Sequence, residues 1–68
     1  MELSARNQLS GTITGIQLGN VMAEVTVDVN GQEFVSVITR RSAENLGLKD
    51  GDPITVVIKA TEVLLARV

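Results

Sequence analysis

The chain has 68 residues, a net charge of −2, and neither cysteine nor histidine. A chain of this length buries only about 60% of its unfolded surface, so disulfides, a structural metal or oligomerisation usually stabilise it. Without cysteine, disulfides are excluded, and without cysteine and histidine a zinc site is disfavoured. Association between copies is the remaining support, so we expect a single domain over residues 1–68 that forms homo-oligomers.

The composition also argues against several classes of partner. Hydrophobic residues make up 44% of the chain, yet Phe34 is its only aromatic residue. Proteins that bind single-stranded nucleic acid combine a basic groove with stacking aromatics, and this chain shows neither. No apolar run approaches the roughly 20 residues of a spanning helix, and the first residues do not resemble a signal peptide. We therefore expect a cytoplasmic protein that binds neither nucleic acid nor membranes.

The first predicted element is a strand over residues 9–18, in which apolar residues alternate with serine and threonine. Gly11 and Gly15 lie on one face of this strand, four residues apart. Glycine inside a strand indicates a bulge, a tight bend or the close approach of another backbone. A turn at residues 19–20 is expected to end the strand.

A second strand is predicted over residues 21–29, where valine and alanine occupy the odd-numbered positions. This alternation is typical of an antiparallel strand that is buried on one face. Asn30 and Gly31 follow it, and both tolerate the positive φ that a type I′ turn requires. The pair predicts a hairpin that leads into a third strand over residues 32–39.

The next segment has the pattern of a short helix over residues 40–46. Thr39 is a suitable N-cap for this helix, and Gly47 occupies the position of a left-handed C-cap. A proline then opens a fourth predicted strand over residues 53–59, since the first position of a strand tolerates a missing amide. A fifth strand is predicted over residues 62–68.

The order β-β-β-α-β-β is that of a small barrel of the OB type. We therefore predict an all-β fold with one short helix, arranged as an OB-like five-stranded Greek-key barrel. An open antiparallel sheet with one helix across it is the alternative.

No arrangement of residues indicates an enzyme. Acid–base and nucleophilic catalysis usually rely on histidine, cysteine or an activated serine, and the serines here have no imidazole partner. The acidic residues match no calcium loop, and no phosphate-binding or dinucleotide motif is present. We expect a protein without enzymatic activity and without a cofactor or directly ligated metal.

Two short runs near opposite ends of the chain combine a cation with hydroxyl groups and small residues. They are Ser4, Ala5 and Arg6 in the first run, and Lys59, Ala60 and Thr61 in the second. Arginine and lysine supply charge, hydroxyl groups turn to donate hydrogen bonds, and alanine leaves the neighbouring amides accessible. This set of donors suits a small tetrahedral oxyanion.

Thr39 and Ser42 are further candidates because they flank the start of the predicted helix, where free amides attract anions. For Thr39 the simpler interpretation is a helix cap and nothing else. Taken singly, Arg6 is better explained by a surface ion pair, and Lys59 by a solvated charge at a strand end.

Taken together, these segments resemble the molbindin family, the small molybdate-binding proteins built from one Mop-type (TOBE) domain. The resemblance lies in the letters SARNQLxG at residues 4–11, VIT at 37–39, LGLKxG at 46–51 and VIKATxV at 57–63. It extends in order over essentially the whole chain. Arg40 and Arg41 depart from the family, in which these positions are often acidic or neutral.

The resemblance implies an OB-like barrel that assembles as a homohexamer, a trimer of dimers with strands contributed across the subunit boundary. It implies molybdate, and also tungstate, bound between subunits. By position, the family's ligand residues correspond to Ser4, Ala5, Arg6, Lys59 and Ala60, with Thr61 as a weaker match. The resemblance also implies that Thr39 and Ser42 match positions that contact the anion in related molybdate-sensing domains.

The function expected from the sequence is therefore intracellular binding and storage of molybdate or tungstate without catalysis. An OB-type module that binds nucleic acid is the alternative from another class. A structural or regulatory domain that only oligomerises is a third.

Overall fold

A computed structural model describes residues 6–67 of the chain. Its elements are β1 (Asn7–Leu18), β2 (Met22–Val29), β3 (Gln32–Thr39), α1 (Arg40–Leu46), β4 (Pro53–Ile58) and a short 3-10 helix at Ala60–Glu62. The strands pair antiparallel in one sheet with the order β3-β2-β1-β4. This confirms the all-β class with one short helix. Within residues 6–67, no helix is long and apolar enough to cross a membrane.

One face of the sheet carries the hydrophobic core. Its buried strand residues are Ile13 of β1 and Ala23, Val25, Val27 and Val29 of β2. Successive side chains of a strand point to opposite faces, so the polar even-numbered positions of β2 lie on the other face. The face predicted from the alternation of β2 is confirmed except at Val21, which precedes the strand and is exposed.

The two glycines of β1 coincide with a close backbone approach and a bulge. A Cβ atom on Gly11 would lie 2.6 Å from the carbonyl oxygen of Asp28, so β1 and β2 come closer there than a side chain permits. Between Ile13 and Gly15 the register with β2 shifts, as in a β-bulge. The bulge reverses the alternation, and Ile16 rather than Gly15 supplies the next apolar side chain of the core.

The turn and cap predictions are confirmed. Asn30 and Gly31 have φ values of 51° and 84°, and they join β2 to β3 as a hairpin. Thr39 caps α1 by accepting a hydrogen bond from the amide of Ser42. Gly47 ends the helix in the left-handed conformation, with φ 64°.

The predicted fifth strand over residues 62–68 is not part of the sheet in the described chain. After β4 the chain makes a 3-10 turn, in which the Glu62 amide donates to the Lys59 carbonyl at 2.8 Å. This turn is not the two-residue hairpin that would bring the chain back alongside β4. Residues 63–67 therefore pair with no strand between residues 6 and 67. Their apolar side chains remain in solvent, with Leu64 91% and Leu65 93% exposed.

In the described chain, backbone pairing does not close the sheet into a barrel. The strands β3 and β4 form its two edges, and α1 packs against β2 and β3. An apolar groove of about 180 Å³ lies between the two edge strands, with Ile38, Leu48 and Val56 among its lining residues. Residues 6–67 thus form an open, curled four-stranded sheet rather than the predicted five-stranded barrel.

Candidate oxyanion-binding site

The two cationic runs meet at one end of the sheet. The β1 and β4 strands pair antiparallel as far as Asn7, which lies opposite Ile58. Arg6 and Lys59 are the next residues beyond this last pair, so both lie at the same end of the two strands. Residues from opposite ends of the sequence are therefore neighbours within a single chain.

The charges of Arg6 and Lys59 are not compensated in the described chain. Both residues are exposed, and neither side chain makes a hydrogen bond or an ion pair with another residue between 6 and 67. Two like charges at the same end of a strand pair repel each other. An anion placed between the two side chains would remove this repulsion.

Exposed backbone follows Lys59 directly. Ala60 and Thr61 open the 3-10 helix and are exposed. The turn directs the amides of Glu62 and Val63 back to the carbonyls of Lys59 and Ala60. Within residues 6–67, the amides of Ala60 and Thr61 donate to no backbone carbonyl, and they are candidate donors to an anion.

Ser4 and Ala5, the other predicted ligands at this end, lie outside the described residues. In the described chain, this half-site consists of two cationic side chains, Arg6 and Lys59, and the amides of Ala60 and Thr61.

Thr39 and Ser42 form a second group at the start of α1. The Thr39 hydroxyl oxygen accepts from the Ser42 amide at 3.1 Å, and the Thr39 hydroxyl donates to the Ser42 hydroxyl oxygen at 2.7 Å. The pair therefore retains one hydroxyl hydrogen, that of Ser42, for an external acceptor. The cap interpretation of Thr39 is confirmed, and contact of this pair with an anion stays a prediction.

The two groups are separate within one chain. Thr39 pairs with Met22 at the start of β2, which lies beside the end of β1. Arg6 directly precedes the start of β1, so the two groups lie at opposite ends of this strand. Among residues 6–67, no hydrogen bond or ion pair joins Thr39 or Ser42 to Arg6 or Lys59. The predicted ligand residues thus form two groups rather than one cluster.

The arginines that depart from the family pattern have different surroundings. Arg40 donates from Nη1 to the Gly19 carbonyl at 3.2 Å, and its Nε lies 3.4 Å from a carboxylate oxygen of Glu44. Arg41 makes no ion pair with any of residues 6–67, and it lines an open groove with Thr39 and Arg40. Arg40 therefore offsets Glu44, whereas Arg41 adds positive potential beside Thr39.

Asn7 belongs to the opening motif but was not among the predicted ligand residues. Its Nδ2 donates to the Ile58 carbonyl at 3.2 Å, at the last pair of the β1–β4 ladder. Periodicity and turn signals do not report such a contact, because it depends on the register of two strands that are distant in sequence.

Comparison with known proteins gives consistent similarities. The model of the TOBE domain family matches residues 3–65. Molybdenum-pterin-binding protein 1 of Clostridium pasteurianum is 42% identical over 66 residues, which are 96% of this chain and 97% of that protein. A solved molybdate-binding protein from Sporomusa ovata matches with a TM-score of 0.95 and 40% identity, covering 98% of this chain and 100% of that chain.

A further solved structure is the cytoplasmic molybdate-binding protein ModG with molybdate bound. It matches with a TM-score of 0.82 and 46% identity over 88% of this chain and 43% of the ModG chain. The match to the family model and to relatives of the same length extends over nearly the whole sequence. The chain therefore belongs to the molbindin family of TOBE-domain proteins.

Proposed function

We propose that this protein binds molybdate, and also tungstate, as a non-catalytic cytoplasmic store of the oxyanion. The observation that carries the proposal is that Arg6 and Lys59 both follow the last pair of the β1–β4 ladder and have no acidic partner in the described chain. The amides of Ala60 and Thr61 add neutral donors beside them. Support also comes from the relatives, of which ModG was solved with molybdate bound and is described as cytoplasmic.

The donors suffice for useful affinity. A hydrogen bond to a charged group contributes about 1.5–3 kcal/mol net. Three or four such bonds, less the cost of ordering the side chains, correspond to roughly micromolar binding of a small ion. Molybdate and tungstate have the same charge and tetrahedral shape, so we expect these donors to bind both.

The site is proposed to lie between subunits of a homohexamer, a trimer of dimers. Within one chain, the group around Arg6 and the pair Thr39 and Ser42 are separate, so a second copy is the natural source of the missing contacts. The proposed anion ligands come from both cationic runs, Ser4, Ala5 and Arg6 in the first and Lys59, Ala60 and Thr61 in the second. Ligand binding then stabilises the assembled form.

The segment over residues 63–67 is proposed to be the strand contributed across the subunit boundary. Its leucines have no contacts that bury them in their own chain, and β3 and β4 both present free edges beside an apolar groove. Adding an extended segment to a free edge satisfies unpaired backbone groups. In the assembly, each 68-residue domain would then become an OB-like five-stranded Greek-key barrel.

Calorimetry with four anions tests the proposed function. Molybdate, tungstate, sulfate and phosphate are titrated separately into the purified protein at one salt concentration. We expect saturable heat with molybdate and tungstate and much weaker binding of sulfate and phosphate. Absence of heat with molybdate, or equal affinity for sulfate, contradicts the proposal. Retention of single-stranded oligonucleotides at moderate salt would favour the nucleic-acid-binding alternative.

A further inference from the structure

We propose that Asn7 is a positioning residue of the oxyanion site, which holds the Ile58–Lys59 peptide unit, and with it the start of the segment 59–61, without touching the anion. The inference rests on the proposed function and adds a residue whose role comes from its place in the fold. Asn7 lies in the last pair of the β1–β4 ladder, between the core and the two cationic residues.

The contact that carries the inference joins the two strands at their open end. The Asn7 side chain donates from Nδ2 to the Ile58 carbonyl at 3.2 Å. That carbonyl and the Lys59 N–H belong to one planar peptide unit. A hydrogen bond that fixes the direction of the carbonyl therefore fixes the direction of the Lys59 amide as well.

This peptide unit follows the last pair of the β1–β4 ladder in the described chain. Lys59 leaves the strand with φ −65° and ψ 133°, and Ala60 opens the 3-10 turn. The Asn7 side chain adds a hydrogen bond at this last pair, and it holds the point from which the Lys59 side chain and the Ala60 amide extend.

The chemistry of the side chain explains which substitutions are informative. Asparagine offers two N–H donors on a short neutral side chain. Leucine has a similar shape without a donor, so Asn7→Leu removes the hydrogen bond and adds no charge. Asn7→Gln keeps a donor on a longer side chain. Asn45 is an exposed asparagine of α1, so Asn45→Leu is the matched control.

The test combines molybdate calorimetry with backbone ¹⁵N relaxation of the Lys59 amide. We expect Asn7→Leu to weaken molybdate binding about fivefold to tenfold, the range of one lost hydrogen bond. In the ligand-free protein, the order parameter of the Lys59 amide should fall, while the melting temperature stays close to that of Asn45→Leu. Asn7→Gln should recover most of the affinity.

Two results would overturn the inference. One is unchanged molybdate affinity and an unchanged Lys59 order parameter in Asn7→Leu. The other is a loss of affinity that Asn7→Gln does not recover and that accompanies a large fall in melting temperature, since a purely structural role predicts that result. If the unsubstituted protein binds no molybdate, the proposed function fails, but the relaxation measurement on ligand-free protein still tests the Asn7 hydrogen bond.

Discussion

The hydroxyl groups of Thr39 and Ser42 are 2.7 Å apart and share one hydrogen bond, while the Thr39 oxygen also accepts the Ser42 amide. At the start of α1, the Thr39 hydroxyl therefore both accepts and donates a hydrogen bond. The hydroxyl hydrogen of Ser42 is not used in this pair. The two residues should respond differently to substitution, although they are adjacent in the fold and similar in chemistry.

Thr39→Ala should lower the free energy of unfolding by about 0.5–2 kcal/mol, because it removes the helix cap. Ser42→Ala should change it by less than about 0.5 kcal/mol, since the Ser42 amide still donates to Thr39. Thr39→Ser keeps the cap and is the control. Denaturant unfolding at one protein concentration measures the differences, and equal costs for the two alanine variants would contradict the assignment.

Gly11 and Gly15 provide a second matched pair, because only one of them faces a close backbone. A Cβ atom on Gly11 would meet the Asp28 carbonyl at 2.6 Å, whereas on Gly15 the nearest atom is the Thr26 Cβ at 3.9 Å. Gly11→Ala should lower the free energy of unfolding by about 1–3 kcal/mol through overpacking. Gly15→Ala should change it by less than about 1 kcal/mol. Equal stability of the two variants in thermal unfolding would contradict this prediction, because it would show that β1 can move away from β2 at Gly11 without cost.

Arg6→Ala should affect binding and stability in opposite directions. Molybdate affinity should fall at least about tenfold, because a charge-assisted contact is lost. Without ligand, the melting temperature should not fall, since the substitution also removes a like charge from the end of the strand pair that carries Lys59. Lys49→Ala removes one positive charge from an exposed loop residue and is the control for net charge. Light scattering should show the same oligomer for all three proteins.

Arg41 lies in the first turn of α1, which contains two arginines and no acidic residue. Positive charge at the start of a helix opposes the helix dipole, so Arg41→Glu should raise the free energy of unfolding by about 0.3–1 kcal/mol at low salt. The gain should shrink as salt is added. A loss of stability, measured by thermal unfolding at low and high salt, would mean that Arg41 has a stabilising contact.

Leu65→Asp tests the proposed role of the segment beyond the 3-10 helix. Leu65 is 93% exposed in its own chain, so the substitution should leave the isolated fold intact. In the assembly it would place a charge against an apolar groove, which is costly unless the charge is paired. Light scattering should therefore show smaller species with near-native circular dichroism. An unchanged oligomer would place the subunit contacts elsewhere.

The features that sequence reasoning located correctly depend on residues close together in the chain. The hairpin at Asn30 and Gly31 and the caps of α1 at Thr39 and Gly47 each need only a few neighbouring residues. The alternation of β2 likewise identified its buried face. In each case the residues that determine the structure lie within the same short segment, so the sequence of that segment is enough to predict it.

The features that sequence reasoning missed depend on partners far along the chain or outside it. The position of the bulge before Gly15 is set by pairing with β2. The apolar run over residues 63–67 was predicted as part of a strand, but no strand between residues 6 and 67 lies beside it. Motif resemblance grouped Arg6 with Lys59, but only the pairing of β1 with β4 shows that both residues lie at the same end of these strands in one chain.

The position of the bound anion tests the central claim most directly. Crystals of the protein grown with tungstate, measured at a tungsten absorption edge, locate the metal of the oxyanion by its anomalous scattering. The account predicts a peak within hydrogen-bonding reach of the Arg6 and Lys59 side chains, at a boundary between two copies of the chain. A peak only at other residues, or no peak from a saturated protein, would contradict it.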